Sequence, residues 1–253
     1  MSLRCVVPIS GGKDSQACLK MAREHFEPHE ILGLFCDTQY EHPITYAHVA
    51  WMGEYYGVDI VTACEGDVLG KCRKYGRFPS GIARFCTDEL KIGPTKRFLK
   101  TKAEELGHGF EVWYGMRQQE STERAKRYDG KLPDHLYAPH EVMPSKYPQY
   151  LAKAGVVFRL CVVDWSDQEA IDYCGWENLN PLYHAGFPRV GCFPCQAGGD
   201  KWKKKAFEFD DFGRFQLIRT RQVAGEIGKP IFRTKGLAHM NDDEGPGCLL
   251  CSM

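Results

Sequence analysis

The sequence predicts an α/β fold: a doubly wound parallel sheet with helices on both faces, followed by a Cys-rich C-terminal extension of helix and tail. Two observations support this prediction. Short apolar runs alternate with segments of helical period through the first half of the chain, which is typical of strand–helix–strand units. The 253 residues, 43% hydrophobic and 26% charged, suffice for one sizeable globular domain with appendages.

The predicted strands and helices follow one another in a regular order. We place strands at residues 5–9, 31–36, 58–61, 110–114 and 156–163. We place helices at 14–24, 44–56 and 94–106. A further short helix follows Ser166, whose spacing from Glu169 fits a capping box. The segments 66–85 and 130–150 lack a clear period and are predicted to be loops.

The charge and hydropathy of the chain argue against several classes of protein. The 33 basic and 33 acidic residues balance, so a uniformly cationic nucleic-acid binder is not expected. No run approaches the ~18 consecutive apolar residues of a membrane span. The apolar stretch near the N-terminus is short and runs into a Gly-Gly pair, unlike a signal peptide. We therefore expect a cytoplasmic protein without membrane contact, and the sequence does not indicate its oligomeric state.

A glycine-rich turn joins the first predicted strand to the first predicted helix. It consists of Ser10, Gly11, Gly12, Lys13, Asp14 and Ser15. Glycines let the backbone approach an anion closely, and a helix N-terminus offers free N–H groups with a partial positive charge. The serine hydroxyls and the Lys13 ammonium add donors, and Asp14 is explained most simply as a Mg²⁺ ligand. The turn predicts a phosphate-binding loop that is neither a Walker loop nor a dinucleotide fingerprint. An ordinary strand–turn–helix with a Ser/Asp cap is the alternative.

The 12 cysteines are an excess for a chain of this length. Those in predicted strands or helices are interpreted as small buried apolar residues: Cys5, Cys18, Cys36, Cys161 and Cys174. The others are Cys64, Cys72, Cys86 and two CxxC pairs, Cys192/Cys195 and Cys248/Cys251. CxxC pairs favour metal or redox chemistry, and a disulfide framework is not expected without secretion.

The loop at residues 10–15 resembles the PP-loop of the adenine-nucleotide α-hydrolase superfamily. Members of that superfamily bind ATP and cleave it between the α and β phosphates, which gives pyrophosphate and an adenylate. The resemblance implies a nucleotide-binding PP-loop domain at 1–185 and a Cys-rich extension with a basic helix and tail at 186–253. It also implies that ATP and Mg²⁺ bind at the loop, with Lys13 and Asp14 taking part in catalysis.

Further motifs are similar to the phosphoadenosine phosphosulfate (PAPS) reductase-like family. They occur in that family's order at 84–91 (RFCTDELK), 115–124 (GMRQQESTER), 164–166 (DWS), 180–183 (NPLY) and 186–195 (GFPRVGCFPC). The second motif begins with Gly115 and supplies Arg117 and Arg124, which suit bidentate phosphate or sulfate contacts, with Arg117 also catalytic. Asp37 follows the second strand at the edge where nucleotides bind, and Lys91 is expected to face the phosphates. A solvated helix face for the arginines and a plain strand-end turn for Asp37 are the alternatives.

Two departures separate the chain from sulfate reductases. PAPS reductases and adenosine phosphosulfate (APS) reductases usually have a degraded phosphate loop, whereas this loop is intact. APS reductases also have adjacent cysteines where this chain has Phe85-Cys86. Both differences favour ATP-using, sulfur-handling relatives such as the proteins of DNA phosphorothioation, which contain an iron–sulfur cluster.

We therefore expect an ATP pyrophosphatase, similar to a sulfurtransferase, that adenylates a substrate and uses a sulfur donor. Two alternatives stay open. One is a PAPS or APS reductase that takes a thiol reductant and releases sulfite. The other is a non-catalytic nucleotide- or nucleic-acid-binding partner.

The resemblance also implies a metal centre at the cysteines. In the cluster-bearing relatives a Cys at the position of Cys86 joins a later CxxC, so Cys86, Cys192 and Cys195 would hold a 4Fe-4S cluster with Cys248 or Cys251 as the fourth ligand. A zinc site built from the two CxxC pairs is an alternative, although 52 residues separate them. In a third interpretation the tail pair is a mobile dithiol.

Two basic stretches allow for a nucleic-acid substrate. One contains Lys201 and residues 203–205, and the other contains Lys71, Arg73, Lys74 and Arg77. Their side chains would meet the phosphates of tRNA or DNA, with Trp202 and Tyr75 available for stacking. A solvated charged face is the alternative for both stretches.

Overall fold

A computed structural model describes residues 3–81, 83–143 and 149–241. The strands are β1 (Cys5–Ile9), β2 (Ile31–Asp37), β3 (Ile60–Cys64), β4 (Glu111–Trp113), β5 (Leu136–Tyr137) and β6 (Val157–Arg159). The helices of the first half are α1 (Lys13–His25), α2 (Pro43–Tyr56), α3 (Val68–Tyr75), α4 (Phe85–Thr87), α5 (Gly93–Leu106) and α6 (Thr122–Arg127). The later helices are α7 (Pro139–Val142), α8 (Gln149–Lys153), α9 (Asp167–Cys174), α10 (Pro181–His184), α11 (Asp200–Phe207) and α12 (Asp211–Ile227). In these described ranges, no helix is both long enough and apolar enough to cross a membrane.

The strands form a sheet in the order β3-β2-β1-β4-β6-β5. β1 lies inside the sheet, parallel to β2 on one side and to β4 on the other. β3 and β6 continue the parallel arrangement. The short β5 runs antiparallel to β6 at one edge. The predicted α/β class is confirmed, with an antiparallel edge strand that the sequence analysis did not predict.

Alternating side chains of β1 divide the core between the two faces of the sheet. Cys5 and Val7 pack on one face with apolar residues of α1, α2 and α9. Val6 packs on the opposite face with residues of α5 and α8. Because successive side chains of a strand point to opposite faces, a strand covered on both sides must be apolar throughout. The five residues of β1, Cys-Val-Val-Pro-Ile, satisfy this requirement.

The predicted loop at 66–85 is wrong in its first half, which forms helix α3. Asp67 caps the helix by accepting a hydrogen bond from the Gly70 amide, and Gly76 ends it in a left-handed conformation at φ +58°. Leu69 and Cys72 are buried on its inner face. The many basic and glycine residues of this stretch obscured a short helix whose buried face consists of Val68, Leu69 and Cys72.

Two further expectations need correction. The strand predicted at 156–163 ends at Arg159, and the apolar residues after it form a buried turn in which the Val163 amide donates to the Leu160 carbonyl. A short apolar run therefore did not distinguish a buried turn from a strand. The predicted loop at 130–150 contains β5 and α7. The short helix after Ser166 is confirmed, and its capping box with Glu169 is formed.

The helices α11 and α12 pack against the part of the chain that contains α3 and α4. Phe207 of α11 and Val223 of α12 share an apolar cluster with Leu69 and Phe85. At the approach of α11 to α12, a Cβ atom on Gly213 would lie 2.2 Å from the carbonyl oxygen of Ala206. The division of the chain into domains at residue 186 stays a prediction.

The glycine at the α11–α12 approach gives a stability test with a control in the same helix. Gly213→Ala forces α12 away from a backbone carbonyl, so we expect the free energy of unfolding to fall by about 1–3 kcal/mol, as in overpacked cores. Gly225→Ala is the control, because a Cβ there meets nothing within 4 Å and alanine favours the helix by roughly 0.5–1 kcal/mol. Urea unfolding followed by circular dichroism measures both. Equal stability of the two variants would contradict the close approach.

Candidate functional site

The glycine-rich loop lies between β1 and α1, and both of its glycines are required by their surroundings. Gly11 has φ +72°, and a Cβ atom on it would lie 2.8 Å from Thr45 Cγ2. A Cβ atom on Gly12 would lie 3.1 Å from the Tyr183 hydroxyl. The loop backbone therefore packs tightly between α2 and α10. It leads directly into the N-terminus of α1.

Hydrogen bonds hold this loop in shape. The Ser15 hydroxyl accepts from the Ser10 amide at 3.1 Å and donates to the Gly12 carbonyl at 2.8 Å. The Asn180 side-chain amide donates to the Gly11 carbonyl at 3.2 Å. The Tyr183 hydroxyl accepts from the Lys13 amide at 3.1 Å. Asn180 and Tyr183 were quoted only as part of a family motif, and the sequence analysis assigned them no role at the loop.

Two cationic side chains are buried beside the N-terminus of α1. The Lys13 ammonium lies 2.8 Å from the carboxylate of Asp167, and the Arg117 guanidinium lies 2.7 Å from that of Asp14. Arg117 also donates to Asp167, which links the four side chains into one network. The side chains of Lys13 and Arg117 are 6% and 3% exposed, whereas that of Asp167 is 71% exposed. The network thus holds two buried cations in fixed positions behind an exposed carboxylate.

The network also shifts the pKa values of Asp167 and Arg117. Burial alone would raise the pKa of Asp167, but hydrogen bonds and charges from Lys13 and Arg117 bring it below its ordinary value. Burial opposes the charge of Arg117, and the carboxylates of Asp14 and Asp167 overcome that effect and raise its pKa. Asp167 is the first residue of α9, and the sequence analysis did not predict its role because its partners are distant in sequence.

The predicted Mg²⁺ ligand, Asp14, is already engaged by Arg117. Its carboxylate still retains acceptor positions, because the bond from Arg117 uses one oxygen. Gly115 lies directly against this part of α1, where a Cβ atom would approach the Asp14 carbonyl oxygen to 2.9 Å. The role of Asp14 at a metal ion stays a prediction.

Arg124 lies in α6, where it pairs with Glu120. Glu120 also accepts from Arg189 at 3.0 Å. Burial is the largest cause of a lowered pKa at Arg124, and the nearby positive charge of Arg189 adds to it. Arg117 and Arg124 therefore differ: the first is fixed by two carboxylates, and the second shares one carboxylate with a neighbouring arginine.

Asp37 ends β2 at the carboxyl edge of the sheet, as predicted. Its carboxylate accepts from the Gln39 amide at 2.7 Å and from the Tyr46 hydroxyl at 2.6 Å. A groove of about 600 Å³ opens beside it, between α2 and β3, and includes Phe35 and Val49 in its lining. Aromatic, aliphatic and acidic side chains thus meet at this groove.

Three of the predicted metal-ligating cysteines, Cys86, Cys192 and Cys195, lie within electrostatic range of Lys91. The sulfur of Cys192 is 3.3 Å from Thr38 Oγ1 and 3.7 Å from Glu41 Oε1. Cys195 exerts an electrostatic effect on Cys192 and on Cys86. Burial raises the pKa of Cys192 to about 12 and also raises that of Cys86.

Lys91 lies with these thiols, and the expectation that it faces the phosphates finds no support in its contacts. Its pKa is raised, with Cys192 as the largest cause. Burial opposes this shift, and Glu41, Cys195 and Cys86 add to it. In the opposite direction, Lys91 lowers the pKa of Cys192, but by less than burial raises it. The chain thus places a cation within electrostatic range of three thiols.

The donor set of these cysteines suits an iron–sulfur cluster or zinc, since both prefer thiolate sulfur. Within the described ranges, no group of three or more His, Cys, Asp or Glu side chains is placed to hold a metal ion. Cys248 and Cys251 lie outside those ranges. The metal centre therefore stays a prediction.

The other cysteines agree with their predicted apolar role, with one exception. Cys5, Cys18, Cys161 and Cys174 are buried. Cys36 is only partly buried.

The basic stretch at 71–77 is not a free cationic face. Lys71 and Lys74 both pair with Glu89, at 2.8 and 3.1 Å, and Arg73 pairs with Glu226. In the second stretch Lys203 is buried, with its ammonium 2.7 Å from Asp200 and donating to the Ile231 carbonyl. These residues are paired within the fold, and Lys203 is buried, so it belongs neither to a nucleic-acid surface nor to a solvated charged face.

Comparison with known proteins places this site in a family. Residues 4–198 match the family described as the phosphoadenosine phosphosulfate reductase domain. The chain belongs to this family. The match extends from β1 through the first CxxC pair, so it includes the loop, the charge network and Cys86, Cys192 and Cys195. The resemblance to the PP-loop superfamily is thereby confirmed.

Individual relatives share about a quarter of their residues with the chain. It is 27% identical over 194 residues to an uncharacterized protein of Methanocaldococcus jannaschii, covering 76% of this chain and 36% of the relative. It is 25% identical to an uncharacterized 37.8 kDa protein of Escherichia phage 186, covering 75% and 66%. It is 27% identical over 171 residues to adenosine 5'-phosphosulfate reductase of Rhodococcus erythropolis, covering 64% and 57%. The chain therefore spans between about a third and two thirds of these relatives.

Two solved structures are similar to this one. A PAPS reductase from Candida auris, in a phosphate complex, superposes with a TM-score of 0.47 at 18% identity, covering 76% of this chain and 82% of the other. A U34-tRNA thiolase from Methanococcus maripaludis with a 4Fe-4S cluster superposes with a TM-score of 0.46 at 14% identity, covering 100% and 81%.

The charge network predicts a pH-dependent stability. Asp167→Asn removes the carboxylate shared by Lys13 and Arg117, and we expect a loss of about 1 kcal/mol at pH 7 because that carboxylate is largely exposed. The folded pKa of Asp167 is below its ordinary value, so its contribution is present above the ordinary pKa of ~3.9 and is lost as the pH falls through the folded value. The difference in unfolding free energy between wild type and variant should therefore shrink toward pH 3.

The matched control is Asp211→Asn, since Asp211 is also the first residue of a helix but pairs only with an exposed arginine. Chemical unfolding at a series of pH values measures all three proteins. A difference for Asp167→Asn that is no larger than for Asp211→Asn, or that persists at pH 3, would contradict the network.

Proposed function

We propose that the protein is an ATP pyrophosphatase that adenylates a substrate for sulfur transfer. The observation that supports this most directly is the intact phosphate loop, pre-formed over the N-terminus of α1 with Lys13 and Arg117 buried beside it. A helix N-terminus and fixed cations stabilise the charge that develops when the phosphoanhydride bond of ATP is cleaved, because they need no reorganisation during the reaction.

The proposed reaction has two steps. An oxygen of the acceptor attacks the α-phosphorus of ATP, and the bond to the bridging oxygen of the β-phosphate breaks, so pyrophosphate leaves and the acceptor is adenylated. A sulfur nucleophile from a donor then displaces AMP. Lys13, Arg117 and the N-terminal end of α1 would bind the leaving pyrophosphate. Mg²⁺ bound near Asp14 would neutralise phosphate charge.

The ribose and adenine would lie toward the carboxyl end of β2. Asp37 is a carboxylate at this position, and it already accepts hydrogen bonds from an amide and a hydroxyl. Parallel α/β sheets bind nucleotides outside the carboxyl ends of their strands. Arg124 and Arg189, which share Glu120, would face the acceptor or the adenylate phosphate.

The test of this proposal is release of pyrophosphate from Mg·ATP with unfractionated tRNA, DNA or a thiol compound as the acceptor. We expect Lys13→Met to reduce the rate roughly 100-fold or more, as for loss of one charge-stabilising donor. Lys20→Met is the control, since Lys20 lies two turns further along α1 and donates to the Tyr173 carbonyl. Absence of pyrophosphate from the wild type with every acceptor would contradict the proposal.

We further propose that Cys86, Cys192 and Cys195 ligate a 4Fe-4S cluster together with a tail cysteine, with zinc as the alternative metal. The three thiols already affect one another and Lys91 electrostatically. Met240 belongs to the apolar cluster against which Cys86 and Cys192 pack. Cys248 follows eight residues later, within a reach of about 25–30 Å. When bound, such a cluster would supply iron able to bind the transferred sulfur.

Metal analysis of anaerobically purified protein tests this centre. Cys86→Ser, Cys192→Ser and Cys195→Ser should each abolish bound iron and the absorption near ~400 nm. Cys64→Ser is the control, because that thiol is exposed at the end of β3. Cys248→Ser and Cys251→Ser identify the tail ligand. Stoichiometric zinc in a colourless protein would contradict the cluster and favour the alternative.

A second reaction, reduction of PAPS or APS with release of sulfite, is favoured by one observation: the similarity to an adenosine 5'-phosphosulfate reductase. In that reaction a tail cysteine would attack the sulfur of the sulfonucleotide, so AMP or adenosine 3',5'-bisphosphate leaves and a thiosulfonate forms. A thiol reductant would then form a disulfide with that cysteine, and sulfite leaves. Sulfite released from either sulfonucleotide, and lost on Cys248→Ser or Cys251→Ser, would support this alternative over ATP cleavage.

A further inference from the structure

A group of exposed and half-buried aromatic and basic side chains surrounds the turn that follows α10. We call it the basic aromatic patch, and it consists of Trp176, His184, Lys201, Trp202, Lys204 and Lys205. We propose that this patch binds single-stranded nucleic acid and presents it to the phosphate loop. The inference deepens the proposed function, on which it rests, by assigning the class of acceptor.

The lysines of the patch lie on one side of α11. Residues three and four apart share a helix face, so Lys201, Lys204 and Lys205 are neighbours, whereas Lys203 points inward and is buried. A groove of about 610 Å³ opens in front of them, and it also contacts Phe209 and Leu237. Lys203 therefore has a structural role, whereas Lys201, Lys204 and Lys205 line the groove.

The charges of these lysines are only partly neutralised. Lys201 has no ionic partner among the described residues, and Lys204 faces Glu208 at 3.7 Å. Lys205 donates to the carbonyls of Ala185 and Gly186, which leaves its positive charge uncompensated. Residues 199–241 contain ten basic and five acidic residues, although the whole chain is neutral. Such a local excess of positive charge attracts the phosphates of a nucleic acid.

Two exposed tryptophans flank the same turn. The side chains of Trp176 and Trp202 are 49% and 40% exposed. The ring of Trp176 lies 4.6 Å from that of His184, and the ammonium of Lys205 lies 5.8 Å from the ring of Trp202. Aromatic rings beside basic side chains are how proteins bind unpaired bases, since every base has a face that stacks. A double helix would offer no free base to these rings.

The patch is connected directly to the phosphate loop. His184, which packs on Trp176, follows Tyr183, whose hydroxyl accepts from the Lys13 amide. Lys205 is bonded to the next two residues, Ala185 and Gly186. One turn of chain thus separates the loop that would hold ATP from the rings that would hold a base. A strand bound at the patch would lie within reach of the α-phosphate.

Fluorescence anisotropy with labelled oligo(U) and oligo(dT) tests the patch at several salt concentrations. We expect Trp202→Ala and Trp176→Ala each to weaken binding about tenfold through lost stacking. Lys201→Gln with Lys204→Gln should lower the slope of log affinity against log salt by roughly 1.4, the value for two phosphate contacts with a single strand. Circular dichroism melting checks that the variants fold.

Matched controls are available elsewhere on the surface. Tyr55→Ala removes an aromatic ring that is 58% exposed, and Lys100→Gln with Lys153→Gln removes two exposed charges. Both should bind the oligonucleotides as the wild type does. Equal loss of affinity in the controls and in the patch variants would overturn the proposal.

Other outcomes separate this inference from the function on which it rests. A wild type that binds ATP but neither oligonucleotide overturns the patch alone. A wild type that binds oligonucleotides through the patch, yet releases no pyrophosphate with any acceptor, supports the patch and overturns the proposed reaction. Polyglutamate that competes as strongly as an oligonucleotide of equal charge would identify the patch as a surface for acidic proteins and overturn the nucleic-acid assignment.

Discussion

The ion pairs of Arg117 fix the geometry on which the candidate site depends. The guanidinium is almost completely buried and joins Asp14 of α1 to Asp167 of α9. Leaving a buried charge without any partner is strongly destabilising, so the three elements are held together by the need to keep this cation paired. Gly115 also holds these elements together: because it has no side chain, the segment after β4 can pack directly against α1. These contacts around Arg117 fix the orientation of the phosphate loop.

The local parts of this arrangement were predictable from sequence. β1, the loop and α1 are contiguous, and an apolar run, two glycines and a helical pattern are signals that act over a few residues. The partners that complete the site were not predictable in this way. Asp167, Asn180 and Tyr183 contact the loop from more than 150 residues away in the sequence. No local spacing of residues predicts a contact between such distant segments.

The surroundings of Lys91 were also not predictable from the sequence. Helices α4 and α5 are joined through a π-helical turn at Asp88–Ile92, which interrupts the α-helical repeat. Lys91 lies on that turn, within electrostatic range of Cys86, Cys192 and Cys195. Its expected position facing the phosphates stays a prediction.

The stretch from Asp37 to His42 has a further consequence. Side chains along this stretch have partners in several parts of the fold: the Asp37 carboxylate bonds to Tyr46, Thr38 and Glu41 both contact Cys192, Gln39 contacts Cys64, Tyr40 bonds to Thr220, and His42 bonds to Asp210, the N-cap of α12. A connection after a strand usually tolerates added or deleted residues. Here, adding or deleting a single residue would displace all of these contacts at once. The length of this connection therefore fixes the distance between the carboxyl edge of the sheet and the sulfur atoms.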